Sequence, residues 1–187
     1  MRRINRVVAL GWLAVVGLGA GAFVSSTAFF TDTETVATNS FTTATLDLAA
    51  SPASAVVSSS NLQPGDEING TLTLTNSGSV TFRYAMTTSA TDPDGKALRN
   101  LMTLVVKTSG TSCAAFDGTT LYSGVMAGAA LGSPAVGEQT GDRQLAAAAS
   151  EQLCFRAAMP TSATNAYQQA ATTATFTFAA EQTAHNP

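Results

Sequence analysis

From Thr173 to Ala180 the chain alternates strictly, with Ala174, Phe176, Phe178 and Ala180 on one face and Thr173, Thr175 and Thr177 on the other. A period of two belongs to a strand that is half buried, and a one-residue slip in its pairing would put both phenylalanines in water. The pattern recurs. Leu72 and Leu74 stand among Thr71, Thr73 and Thr75, while Phe82, Tyr84 and Met86 alternate with Thr81, Arg83 and Ala85. Leu153, Phe155 and Ala157 alternate with Gln152, Cys154 and Arg156 until Met159-Pro160 ends the run, and Leu101, Leu104, Val105 and Val106 form a more fully apolar strand.

Between the second and third of these runs lies Asn76-Ser77-Gly78-Ser79, a tight-turn tetrapeptide, so residues 68–88 are expected to form a hairpin. Shorter strand candidates are Phe41 to Leu48, Ala55 to Ser58 and Thr120 to Met126. Asp92-Pro93-Asp94-Gly95 predicts a turn, because proline sets φ and glycine accepts the reversal. Gln144 to Gln152 holds the helix-favouring Ala146 to Ala149 but is too short to be stable alone and reads as a connection. Ser162 to Gln168, after Pro160, predicts one helical turn. About eight strands with almost no helical pattern point to an all-β fold, a two-sheet antiparallel sandwich or barrel.

The N-terminus carries a different signal. Arg2, Arg3 and Arg6 precede an uncharged run from Val7 to Val24, and Ser26-Thr27-Ala28 supplies small residues for a signal peptidase. Cleavage is expected between Ala28 and Phe29, giving a signal peptide over 1–28, an extended segment over 29–39 and one β-sandwich domain over 40–187. The alternative is an uncleaved anchor, since 18 uncharged residues approach the ~20 that span a bilayer. Gly11, Gly17, Gly19 and Gly21 dilute the run, and it ends directly at the cleavage site, which favours cleavage and a membrane association confined to the uncleaved precursor. No cysteine follows for lipid attachment, and no LPxTG sequence or second span follows Phe178.

Removing the signal takes three of the nine basic residues and leaves six against twelve acidic ones, a net charge of −6. The six are scattered, so the clustered basic patch that nucleic acid requires is missing. Cys113 and Cys154, the only cysteines, both lie in the exported part, where an oxidising compartment favours a disulfide between them. The redox or metal alternative lacks a CxxC spacing.

The chain contains no HExxH, G-x-S-x-G, GxGxxG or GxxxxGK[ST] pattern, and its one histidine, His185, lies close to Pro187. No catalytic residue, metal ligand or cofactor site is therefore assigned. Asp92, Asp94 and Asp117 offer oxygen for a hard cation, but the EF-hand spacing is missing and turn chemistry accounts for them. Asn69-Gly70-Thr71 matches a glycosylation sequon at the start of a strand, where chance is the simpler explanation.

Thr31-Asp32-Thr33-Glu34, Asn39-Ser40-Phe41-Thr42-Thr43-Ala44-Thr45-Leu46-Asp47-Leu48, Ser60-Asn61-Leu62-Gln63-Pro64-Gly65-Asp66, Leu74-Thr75-Asn76-Ser77-Gly78-Ser79 and Phe176-Thr177-Phe178-Ala179-Ala180-Glu181-Gln182, in this order, resemble the TasA/camelysin family. The resemblance runs from the signal to the last strand. It implies a jelly-roll-like β-sandwich and export through a SipW-type signal peptidase. It also implies one of two activities: a secreted fibre subunit of a biofilm matrix, polymerising with itself by strand donation, or a surface metallopeptidase. The shorter loops and the two cysteines depart from the TasA pattern. Phe29, Phe30, Val36 and Phe41 are the candidate donor-strand residues. Adjacent aromatics at a chain end favour docking, since burying each yields ~1.5–3 kcal/mol, in the same subunit or a neighbour. A monomeric surface module binding a glycan or protein is the third reading, although Tyr84, Tyr122 and Tyr167 are dispersed in sequence.

Overall fold

In the computed structural model, residues 42–54 and 56–186 are described here. Nine strands build two antiparallel sheets: β1 (Leu48–Ser51), β2 (Glu67–Asn76), β3 (Phe82–Ala90), β4 (Thr103–Thr108), β5 (Thr120–Val125), β6 (Ala130–Leu131), β7 (Arg143–Leu145), β8 (Ser150–Ala158) and β9 (Ala174–Gln182). One sheet has the order β1-β2-β8-β4-β5. In the other, β9 lies along one side of β3, and β6 and β7 follow each other along its other side. Among the described residues the remaining regular elements are the one-turn helix α1 (Leu98–Leu101) and a 3-10 turn at Asn165–Tyr167. The fold is all-β, and the chain passes repeatedly from one sheet to the other in jelly-roll-like fashion.

The alternating runs determine which faces meet. Leu72 and Leu74 of β2, Leu104 and Val106 of β4, and Leu153, Phe155 and Ala157 of β8 are buried on the inner face of the first sheet. Phe82, Tyr84, Met86, Leu131 and Leu145 are buried on the facing side of the second. At ~1.5–3 kcal/mol for each large apolar side chain, this contact is the main force holding the sheets together. The predicted face of β9 also turns inward, the Phe176 ring lying 5.1 Å from that of Phe155 and the Phe178 ring 6.2 Å from that of Tyr84.

The hairpin expected over 68–88 does not form. β2 pairs with β1 and β8, whereas β3 pairs with β6, β7 and β9, so Ser77 to Thr81 is an arch that carries the chain from one sheet to the other. Both runs have apolar inner faces, and setting them opposite each other buries more surface than setting them side by side. Asn76 fixes the arch. Its fully buried side chain donates to the Val80 carbonyl at 2.8 Å and the Leu145 carbonyl at 3.0 Å, and accepts from the Gly78 N–H at 3.0 Å. At Gly78 a Cβ would overlap the Thr45 carbonyl, so glycine is needed where Thr45 and Asp47 pair with Ser79 and Ser77.

Other expectations change in detail. Gln144 to Gln152 is not all connection: Gln144 and Leu145 end β7, Ser150 to Gln152 begin β8, and only Ala146 to Ala149 turns, with Ala148 at φ 58°. The four alanines do not form a helix because the flanking residues are held in different sheets and the Ala149 carbonyl accepts the Asn76 N–H at 2.9 Å. Of the Phe41–Leu48 candidate, Phe41 lies outside the described residues, and only Leu48 joins a strand. Residues 56–58 form no strand. They cross the inner face of β2 at Gly70, where a Cβ would overlap the Val56 carbonyl oxygen. The two-residue β6 carries no pattern long enough to read.

Replacing Asn76 by alanine leaves the Val80 and Leu145 carbonyls and the Gly78 N–H without these partners. The Asn76→Ala variant is expected to lose roughly 2–4 kcal/mol of stability, measured by urea unfolding; a loss within error of zero would remove this residue from its assigned place.

Candidate functional site

A groove of about 1220 Å³ lies on the side of the domain bounded by segment 50–64 and residues 163–178. Its apolar floor includes Ile68, Leu72, Leu98, Met102, Met126 and Phe176. Serine, threonine, asparagine and glutamine supply its polar rim, and none of the described residues lining it is charged. The groove exceeds the ~300–1,000 Å³ usual for small-molecule sites, and an extended peptide fits it better by size.

The groove follows the edge of the second sheet. β9 pairs with β3 over nine consecutive positions, Phe82↔Gln182 to Ala90↔Ala174, without a register shift, and among the described residues no strand pairs with its other side. Phe176 and Phe178 remain half exposed there. Natural edge strands are usually blunted by lysine, proline, bulges or shortness. β9 has none of these. The opposite sheet ends in a four-residue strand, β1, on one side, and on the other in β5, whose pairing shifts register at Val106/Lys107.

Residues flagged for chemistry serve the scaffold. Cys113 and Cys154 are joined, and their bond ties the loop between β4 and β5 onto the outer face of β8. Phe116 from that loop is buried under the Lys107 ammonium and the Arg156 guanidinium, 4.8 and 4.0 Å from its ring centre. Asp94 accepts the Lys96 and Ala171 N–H groups at 3.0 and 2.7 Å, and these hold its carboxyl below the usual range. Asp117 accepts the Thr111 N–H at 2.9 Å and is lowered mainly by its bonding to Thr111. Asp92 accepts the Ala97 N–H at 2.9 Å. Asn69 of the sequon accepts the Arg156 Nε–H at 2.9 Å. The three carboxylates are thus occupied by backbone N–H groups, as turn chemistry requires.

Two buried polar clusters were not legible in the sequence. Tyr84 donates to Glu151 at 2.6 Å from the opposite sheet, and Arg143 grips the same carboxylate with Nε at 3.1 Å and with Nη2. Burial, with the Glu151 bond second, pushes the Tyr84 hydroxyl well above its ordinary value. On the outer face of the second sheet Arg83 Nε lies 2.7 Å from Glu181, which also accepts from Gly137 at 3.0 Å and from Asn186 at 2.9 Å. The cavity beside Arg83, about 40 Å³, has room for a few waters and no more. The first cluster joins strands of opposite sheets, and the second joins β3 and β9 to the residues around Gly137 and Asn186. Strand alternation assigns faces, and it cannot say which charged side chain a distant loop will cover.

Over residues 1–97 the chain matches the protein family described as camelysin metallo-endopeptidase. It belongs to that family. No curated protein matches it. The description of the camelysin family implies a metal ion, but the described residues do not fit one. No group of three or more His, Cys, Asp or Glu side chains is gathered among them, both cysteines are in a disulfide, and His185 is exposed near the chain end. Ala28, Phe29, Phe30, Val36 and Phe41 lie outside the described residues. No helix among the described residues is long and apolar enough to cross a membrane.

Two measurements probe the scaffold. Unfolded tyrosine ionises near pH 10, so stability contributed by neutral Tyr84 is present below that pH and lost as pH rises above it. Absorbance titration of the folded protein should show Tyr84 un-ionised until alkaline unfolding, and Tyr84→Phe should abolish that late step. Closing a loop across 41 residues contributes roughly 3–4 kcal/mol, so the Cys113→Ser, Cys154→Ser double variant should lose about that much in denaturant unfolding.

Proposed function

We propose that this camelysin-family chain is a secreted structural protein that polymerises by strand donation, residues 29–41 of one copy entering the groove along β9 of the next. The observation that carries this reading is β9 itself: a long, regular edge, unpaired among the described residues, beside an uncharged apolar groove. Edge backbone groups supply the affinity in strand addition, and pockets for alternate side chains supply the specificity. The 13 residues from Phe29 to Phe41 can span the nine of β9, and Phe29, Phe30, Val36 and Phe41 offer apolar anchors. Before donation the chain passes through the membrane only as a signal-bearing precursor, cut between Ala28 and Phe29 by a SipW-type signal peptidase, and the product is extracellular. It needs no cofactor.

The family description favours a second reading, a metallo-endopeptidase. Its metal ligands and general base would have to come from outside the described residues, which makes it the weaker reading. The glycan-binding module has less support: Tyr84 is buried, the Tyr122 hydroxyl donates to the Val125 carbonyl at 2.6 Å, and Tyr167 packs against the core. No exposed aromatic plane remains among these three.

Residues 29–187 should form filaments visible by electron microscopy and elute as large species, whereas a form lacking 29–39 should remain monomeric. Phe178→Ser, at the acceptor, should weaken assembly at least about tenfold in critical concentration. Filaments from the truncated form would remove strand donation, and casein hydrolysis abolished by a chelator would restore the peptidase.

A further inference from the structure

Residues 160–173 cross the mouth of the groove and place Ala163, Tyr167 and Ala170 against its apolar interior. This strap is weakly built. Its own hydrogen bonds are local: Ala163 to Pro160, Tyr167 to Thr164, Gln168 to Asn165 and Ala170 to Tyr167. Where it leads into β9 it is fastened by Thr172 and Thr173 to Thr91. Along its middle, the hydrogen bonds to the rest of the domain come from the Asp92-Pro93-Asp94-Gly95 turn and the residue after it. Asp94 Oδ2 accepts the Ala171 N–H at 2.7 Å, and the Lys96 ammonium donates to the Gln168 carbonyl.

We infer that the 160–173 strap is a latched lid on the groove, and that Asp94 and Lys96 hold it shut and so limit how fast an extended segment enters beside β9. The role of the groove rests on the strand-donation reading; the latch itself rests only on these contacts. A segment with local hydrogen bonds and little buried surface opens at far lower cost than the sheets it lies on. Its inner side is apolar, so a lid that opened freely would expose Tyr167 and the groove floor to water and to non-specific association. The latch comes from a different part of the chain, and its two bonds grip the strap on either side of Gln169, a residue at φ 58° where the backbone already turns sharply. Asp94 accepts its own turn's Lys96 N–H as well as the strap's Ala171 N–H, so one carboxylate fixes the turn and the lid together.

The test uses the full chain, its Asp94→Asn and Lys96→Met variants, and Asp117→Asn as a control remote from the strap. Uptake of Nile red, a neutral apolar dye, is followed by stopped flow, with hydrogen exchange at the Ala171 amide monitored alongside. Asp94→Asn and Lys96→Met should each speed dye entry about tenfold, as expected for losing one hydrogen bond to a charged group, while Asp117→Asn should not. Unchanged dye entry, with faster exchange at Ala171, would overturn the lid. A synthetic peptide of residues 29–41 separates the two proposals. If it binds parent and latch variants at the same rate, the lid fails and strand donation stands. Faster dye entry with no peptide bound by any form supports the lid and removes strand donation.

Discussion

Asn76 holds together two of the places where the chain changes sheets, the β2–β3 arch and the β7–β8 turn. Its side chain reaches the Val80 carbonyl within its own arch and the Leu145 carbonyl at the end of β7, while its backbone N–H takes the Ala149 carbonyl in the turn before β8. A fully buried amide is costly without partners and specific with them, because each unmet group would cost ~1–3 kcal/mol. Satisfying it requires β2 and β3 in opposite sheets and β7 and β8 likewise. The facing of Leu72 and Leu74 against Tyr84 and Met86 follows from that arrangement.

A sandwich closed at this end and open along one side has consequences for function. At the Asn76 end, the Tyr84–Glu151–Arg143 cluster links the sheets with charge-assisted hydrogen bonds. Away from it, no strand among the described residues pairs with the second side of β9, and the gap is covered by two loops. Phe176 and Phe178 therefore complete the core from one side and remain half exposed on the other. The disulfide stiffens the remote face, tying the β4–β5 loop down over Cys154 and leaving the open edge unaffected. Rigidity and openness are thus on different faces, which is what the strand-donation proposal requires.

Much of the fold was readable from alternation. The inward faces of β2, β3, β8 and β9, the stop at Met159-Pro160, the Asp92–Gly95 turn and the helical turn near Asn165 follow from local chemistry. The hairpin expected over 68–88 failed because a turn-forming tetrapeptide is compatible with both a hairpin and an arch, and the choice depends on Leu145, 69 residues away. Ala146 to Ala149 is the connection expected, but the strands on either side reach further into 144–152 than expected, since a helix preference of a few tenths of a kcal/mol per residue is small against their pairings. The groove had no local signature, since its lining is drawn from six separated stretches of chain.

The sequence by itself determined an all-β chain whose main strands have one wet and one dry face, a basic and apolar N-terminus, and camelysin-family character over residues 1–97. These are local properties, set by residue type and a spacing of two. Tertiary structure alone decided which strands lie side by side and which face each other, where the buried amide and the cross-sheet tyrosine find partners, and that among the described residues no strand pairs with the second side of β9. Those depend on groups far apart in the chain meeting at hydrogen-bond distance, which periodicity cannot encode.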